Sequence, residues 1–132
     1  MDPSLERYSA KMYSLLTGYW LIADEWFDFL LPSEDVLKIS GEAVLLDGSK
    51  IYVTEMTRVD EGKLSKIGYS YQFRTEDQPG FFRYDDASHG RPEPYHHKHE
   101  YGKSIQPTTR PPNLFEFLRE VEDVLGKEPW TQ

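Results

Sequence analysis

The sequence feature that most constrains the fold is a two-residue alternation of apolar and polar side chains, which begins at residue 36. The segment VLKISGEAVLLDGSKIYVTEMTRV alternates on both sides of Asp47-Gly48-Ser49, which is a hairpin turn signal. The segments SKIGYSYQFRT and GFFRYDDA are typical of two further strands, joined by EDQPG, which favours a turn. These short connections predict an antiparallel meander of four strands, and HHKHEY adds a short fifth strand.

Helices are predicted at both ends of this sheet. Apolar residues recur at three- and four-residue steps over residues 4–31, where Gly18 is a break point and Pro32 ends the pattern. A second amphipathic helix is predicted between the capping residue Asn113 and Gly126.

The predicted fold class is therefore α+β, with the helices packed on the antiparallel sheet. We expect a single domain over residues 1–132, because this length supplies one modest core. Its parts would be a helical N-terminal region (1–31), the sheet with the histidine-rich segment (36–102) and the C-terminal helix (113–126).

Composition narrows the class of protein. The absence of cysteine excludes disulfides, thiolate metal ligands and a cysteine nucleophile, and it fits the cytoplasm. The most apolar run, residues 19–31, holds three acidic residues and is too short to span a bilayer, so we expect no membrane association. The net charge of −8 argues against nucleic-acid binding by the whole surface and suits a basic partner protein. Residues 83–103 hold four basic and four acidic side chains, so the acidic excess lies elsewhere.

All four histidines lie within eleven residues, at His89, His96, His97 and His99. Imidazoles titrate near neutrality, so two of them can act as a base and an acid at working pH. For RNA cleavage, a base takes the 2′-hydroxyl proton, a cation stabilises the phosphate and an acid protonates the leaving 5′-oxygen. His97 or His99 would transfer the protons, and His89 is a further catalytic candidate.

Cationic and acidic residues complete this candidate site. Arg83 and Lys98 would stabilise the phosphate, with no cofactor required. Alternation places Arg83 and Asp85 on one sheet face, where Asp85 would orient a histidine or Arg83. Glu55 would add a further charge if its face is also the Arg83 face. The alternative for these charges is a surface ion pair of little energetic weight.

A metal site is a second interpretation of the histidines. On a strand, His97 and His99 point the same way and can share a divalent metal, with His89 or a carboxylate as third ligand. The spacing matches neither a helical HExxH motif nor a cysteine-containing finger. A solvated histidine loop without any ligand is the third interpretation.

The N-terminal region suggests a non-catalytic interaction module as a further alternative. Trp20, Phe27 and Phe29 fall partly off the main apolar stripe, and exposed aromatic patches usually bind a partner. A homodimer through these aromatic helices would follow. The competing interpretation is a fuller core.

The segment FRYDDASH followed by HHKH resembles the TumE family of toxins from type II toxin–antitoxin pairs. The family pattern has an arginine-tyrosine-aspartate-asparagine strand end, a histidine three residues on, a histidine-histidine-lysine-histidine run, and an upstream DGS hairpin with a glutamate on its second strand. The matching residues are Gly48, Glu55, Arg83, Tyr84, Asp85, His89, His96, His97, Lys98 and His99. Asp86 replaces the family asparagine, and Tyr95 replaces a proline. The resemblance covers roughly residues 36–125 and leaves residues 1–31 outside.

This resemblance implies a growth-inhibitory toxin that is neutralised by an antitoxin encoded beside it. Because small toxins of this kind mostly act on RNA or translation, it also implies RNA as the substrate and an endoribonuclease activity.

Overall fold

A computed structural model describes residues 1–75, 81–86, 96–108 and 110–126. Within these ranges the chain forms two helices and seven strands. In chain order they are α1 (Pro3–Gly18), β1 (Ile22–Ser33), β2 (Val36–Leu45), β3 (Lys50–Asp60), β4 (Lys63–Arg74), β5 (Phe82–Asp85), β6 (His97–Glu100), β7 (Gln106–Pro107) and α2 (Leu114–Leu125).

The strands form one sheet in the order β1-β2-β3-β4-β5-β6-β7, and each strand pairs antiparallel with the next along the chain. The α+β class and the antiparallel meander are therefore confirmed. The predicted count of four to five strands is wrong, because β1 and the two-residue β7 extend the sheet at its two ends.

The helix predicted over residues 4–31 is wrong in its second half. Helix α1 ends at Gly18, and Ile22–Ser33 forms the long edge strand β1, which pairs with β2. Apolar residues lie on both sides of this strand, so the same letters also fit a helical period. In the structure, the segment pairs with β2 along its length and packs Phe27 and Phe29 against the core.

The aromatic residues of the N-terminal region are consequently placed differently from expectation. Phe27 and Phe29 pack partly buried against the core, whereas Trp20 and Trp26 are exposed. A homodimer through aromatic N-terminal helices therefore loses Phe27 and Phe29 as contact residues.

Both helices pack on the same side of the sheet, which we call the inward face. Helix α1 buries Leu5, Met12 and Leu16 there. Phe117 of α2 packs against Tyr71 and contributes to the same core cluster. The two helices are also connected, because Tyr19 and Trp20, just after α1, both donate hydrogen bonds to Glu122 of α2. The opposite side of the sheet, which neither helix covers, is the outward face.

Two local predictions are confirmed. The Asp47-Gly48-Ser49 segment connects β2 to β3, with Gly48 at φ +90° and the Asp47 carboxylate accepting from the Ser49 amide at 3.1 Å. Helix α2 begins after Asn113, whose side chain accepts from the Glu116 amide, and it ends before Gly126. The predicted EDQPG turn, residues 76–80, lies outside the described residues. No helix in the described part of the chain combines the length and apolar content needed to cross a membrane.

Candidate functional site

The pairing of β5 with β6 gathers four of the predicted site residues on the outward face. Arg83 lies directly opposite His99, and Asp85 lies directly opposite His97. Because strand side chains alternate between faces, these four point to the same side of the sheet. We call Arg83, Asp85, His97 and His99 the outward cluster.

Asp85 is the centre of the outward cluster. Its Oδ2 accepts a hydrogen bond from Arg83 Nε at 2.8 Å, and its Oδ1 lies 2.5 Å from His97 Nε2. His99 Nε2 lies 3.5 Å from Asp85 Oδ2, and the two imidazole rings are 4.6 Å apart between centroids. One carboxylate therefore fixes the positions of a guanidinium and an imidazole at once.

Exposure increases across the outward cluster. The His97 side chain is fully buried and that of Asp85 is 10% exposed, whereas those of His99 and Arg83 are 23% and 37% exposed. Solvent reaches the side chains of Arg83 and His99, although the Nε2 atom of His99 is itself buried. His97 lies behind them, in contact with Asp85.

Lys98 does not join this cluster, because it alternates to the inward face. Its Nζ lies 2.6 Å from a carboxylate oxygen of Glu120 on α2 and 2.8 Å from one of Glu100. Burial by itself lowers the pKa of Lys98, but the hydrogen bonds to Glu100 and Glu120 outweigh it and raise the pKa above its ordinary value. Its predicted place beside Arg83 at a phosphate is wrong.

Glu55 is also on the inward face, so the condition under which it would lie beside Arg83 is not met. The physical reason is a β-bulge in β4: Thr57 pairs with Lys66 and Met56 with Gly68, which leaves Ile67 as an extra residue. One inserted residue exchanges the faces of everything beyond it in the strand.

The remaining histidines lie elsewhere. His96 stacks on Tyr69, an inward residue, with its Nδ1 3.1 Å from the Tyr69 hydroxyl. His89 lies outside the described residues, so its predicted role stays a prediction.

Sequence reasoning missed a second polar cluster, which surrounds Glu55 beneath α1. Glu55 is fully buried and accepts hydrogen bonds from the hydroxyls of Tyr8, Tyr71 and Thr57, the last at 2.6 Å. Lys66 Nζ lies 3.6 Å from the Glu55 carboxylate. We call these five residues the Glu55 network. The available signal was a glutamate at a core position of the alternating strand IYVTEMT.

Burial perturbs the ionisable members of the Glu55 network. It raises the pKa of the Tyr8 and Tyr71 hydroxyls, and the negative charge of Glu55 raises both further. Burial lowers the pKa of Lys66, although the Glu55 carboxylate opposes that shift. Lys66 also donates to the Pro112 carbonyl oxygen at 2.8 Å, just before α2. The network thus connects α1, the sheet and the segment that precedes α2.

Three residues of the outward cluster have the composition of a metal site. One potential ligand atom from each of Asp85, His97 and His99 lies within 4.8 Å of the others. Two imidazoles and a carboxylate are the donor set of several hydrolytic zinc sites. Two of the three predicted histidine ligands, His97 and His99, therefore lie close together. Asp85 is the carboxylate beside them in the described part of the chain.

A comparison with models of known protein families identifies the family of this chain. The family model described as Toxin TumE matches residues 14–125. The chain belongs to the TumE toxin family. The TumE match begins within α1, so it includes β1 and most of the region that the sequence resemblance left outside. It contains the entire outward cluster and every member of the Glu55 network except Tyr8. No curated protein and no solved structure matches the chain.

We predict that the Glu55 network makes stability fall at alkaline pH. A tyrosine whose folded pKa is raised stabilises the protein below its unfolded pKa of about 10, and this contribution is lost as the pH rises toward the folded value. Each such tyrosine lowers the unfolding free energy by about 1.4 kcal/mol per pH unit above about pH 10. Urea unfolding from pH 8 to pH 11 measures this slope, which Tyr8→Phe should make shallower.

Tyr13→Phe is the matched control, because Tyr13 lies in the same helix with 58% exposure and retains its ring contact with Phe29 as phenylalanine. Equal slopes for Tyr8→Phe and Tyr13→Phe would show that the Glu55 network does not control the alkaline transition.

Proposed function

We propose that this TumE family member is the toxin of a type II toxin–antitoxin pair and that it cleaves RNA at the outward cluster without a metal ion. The observation that supports cleavage most directly is the cross-strand pair of Arg83 and His99. It puts a guanidinium beside a partly exposed imidazole, and the two can act on one phosphodiester.

The chemistry is an internal transesterification. A base removes the 2′-hydroxyl proton while the 2′-oxygen forms a bond to phosphorus, and the bond from phosphorus to the 5′-oxygen breaks as an acid protonates that oxygen. His99 performs one of these proton transfers. Because Arg83 Nε is hydrogen-bonded to Asp85, the terminal nitrogens of its guanidinium bind the non-bridging phosphate oxygens.

Asp85 and His97 are positioning residues in this proposal. Asp85 holds the Arg83 side chain, and the buried His97 holds Asp85. The sequence predicts His97 or His99 for the proton transfers, but His97 is fully buried. We therefore assign the second transfer to His89, which is a further catalytic candidate of the sequence.

The antitoxin is proposed from the family and the charge. A toxin of a type II pair is neutralised by a protein, and a chain of net charge −8 attracts a basic one. The negative net charge thus favours binding of a basic antitoxin, which would keep the proposed ribonuclease inactive.

A histidine-ligated metal is the second candidate, favoured by the proximity of Asp85, His97 and His99. Ligand atoms of tetrahedral zinc, with bonds of about 2.0–2.1 Å, lie roughly 3.3 Å apart. His97 Nε2 and Asp85 Oδ1 are 2.5 Å apart, which is a hydrogen-bond distance. A metal bound by these two atoms would therefore require Oδ1 to move away from His97, so we favour the metal-independent mechanism.

We predict that the purified protein, without a histidine tag, cleaves a synthetic RNA to fragments ending in 2′,3′-cyclic phosphate. His99→Ala and Arg83→Ala should each slow cleavage by at least about a hundredfold, because they remove a proton-transfer group and the phosphate ligand. His89→Ala should do the same. The measurement is gel analysis with end-group mapping by mass spectrometry.

Lys103→Gln is the control, since it removes a nearby but exposed cationic side chain and should leave the cleavage rate unchanged. Cleavage should persist in EDTA. Loss in EDTA with recovery on adding zinc would establish the metal mechanism instead, and unchanged cleavage by both His97→Ala and His99→Ala would reject the outward cluster as the site.

We also predict that induction of the gene alone arrests bacterial growth and that co-expression of the neighbouring gene restores it. His99→Ala should permit growth yet still co-purify with the neighbour's product, because the fold that binds the antitoxin is retained. Growth curves and affinity co-purification test both statements. Normal growth with the wild-type gene, or equal arrest with His99→Ala, would contradict the proposal.

A further inference from the structure

The outward face continues from the outward cluster across the middle of the sheet. Tyr52 of β3 lies opposite Gln72 of β4, Gln72 lies opposite Arg83 of β5, and Arg83 lies opposite His99 of β6. Neighbouring strands are about 4.8 Å apart, so this row of side chains extends roughly 14 Å. It ends at the partly exposed imidazole of His99.

A second row runs beside the first. Ser40, Thr54 and Ser70 pair in sequence across β2, β3 and β4, and Ser70 pairs with Asp85. Hydroxyl groups therefore line the approach to the outward cluster. Large apolar side chains dominate the centre of most protein–protein interfaces, and these two rows carry few of them.

The outward side of β2 to β5 carries more basic than acidic side chains, although the protein as a whole is acidic. Among the described residues, the outward positions of β2 to β5 carry six basic side chains: Lys38, Lys50, Arg58, Lys63, Arg74 and Arg83. The same positions carry three acidic ones: Glu42, Asp60 and Asp85. The outward positions of the edge strand β1 add Asp24 and Asp28, so the basic excess is confined to β2 to β5. This local basic excess suits a polyanion bound over β2 to β5.

Tyr52 gives this face an aromatic side chain for base stacking. Its ring is half-buried, and the Arg74 guanidinium lies 5.4 Å from the ring centroid. An aromatic ring combined with nearby arginine is the usual means by which proteins bind unpaired bases without sequence preference. RNA-binding modules with a four-stranded sheet stack two or three bases on a face of this width.

We propose that the outward face of β2 to β6 is a binding track for single-stranded RNA, on which Tyr52 stacks against an unpaired base while Arg74 and Arg83 bind phosphates. The choice of RNA rests on the proposed function. The track delivers the scissile phosphodiester to His99, since Tyr52 and His99 lie in the same row. A duplex would bury its bases and leave Tyr52 without a stacking partner, so the ligand is single-stranded.

The test measures the affinity of a fluorescent 2′-O-methyl RNA 12-mer by anisotropy. This RNA lacks the reactive 2′-hydroxyl, so binding is measured without cleavage. Tyr52→Ala should raise Kd about tenfold, in the range found when a stacking residue is removed, and Tyr52→Phe should retain wild-type affinity. Arg74→Gln should raise Kd and reduce its salt dependence.

Lys11→Gln is the charge-matched control, because Lys11 is exposed on α1, on the other side of the sheet. It should bind like the wild type. The proposed track is overturned if Tyr52→Ala and Arg74→Gln bind normally, if Lys11→Gln weakens binding equally, or if the RNA does not bind. Binding by the antitoxin that is lost in Tyr52→Ala, with normal RNA affinity, would assign the face to the antitoxin and also overturn the track.

Cleavage assays with unmodified RNA distinguish a failure of the binding track from a failure of the proposed ribonuclease. If His99→Ala abolishes cleavage while the Tyr52 and Arg74 variants bind normally, the nuclease stands and the track fails. If those variants lose affinity but the wild type never cleaves RNA, the track stands and the nuclease fails.

Discussion

The hydrogen-bonded register of the sheet is the constraint on which both polar clusters depend. In β5, Phe82 must stay on the inward face, where it packs with Phe73 and Phe117. Its burial turns Arg83 and Asp85 outward, where β6 presents His97 and His99. A slip of one residue would exchange the two faces and separate these groups. Core packing on one side therefore positions the polar side chains on the other.

The central carboxylates of the two faces differ in their access to solvent. On the inward face, Glu55 is fully buried and is satisfied by hydroxyl groups of Tyr8, Thr57 and Tyr71, as a buried carboxylate must be. This arrangement connects α1 to the sheet through the Tyr8 hydroxyl. On the outward face, Asp85 contacts Arg83 and His99, whose side chains reach solvent, as the proposed chemistry on RNA requires.

Sequence patterns predicted those parts of the fold that depend on residues close together in the sequence. The hairpin at Gly48, helix α2 and the shared face of Arg83 and Asp85 follow from turn chemistry, capping and alternation. Strand β1 was not predicted, because apolar side chains lie on both of its faces, with Trp26 outward and Phe27 inward. The apolar–polar alternation that indicates a strand is therefore weak in this segment. Whether Glu55 and Arg83 share a face of the sheet could not be predicted, because the single extra residue Ile67 in β4 places them on opposite faces.

The central claim is that the outward face, at Arg83 and His99, is where a phosphodiester binds. Nuclear magnetic resonance of side-chain nitrogens tests it most directly, during titration with a short 2′-O-methyl RNA. The account predicts that the ring nitrogens of His99 and the terminal guanidinium nitrogens of Arg83 shift with saturation, and that the ammonium of Lys66 on the inward face does not. Shifts at Lys66 with unchanged His99 and Arg83 signals would contradict it.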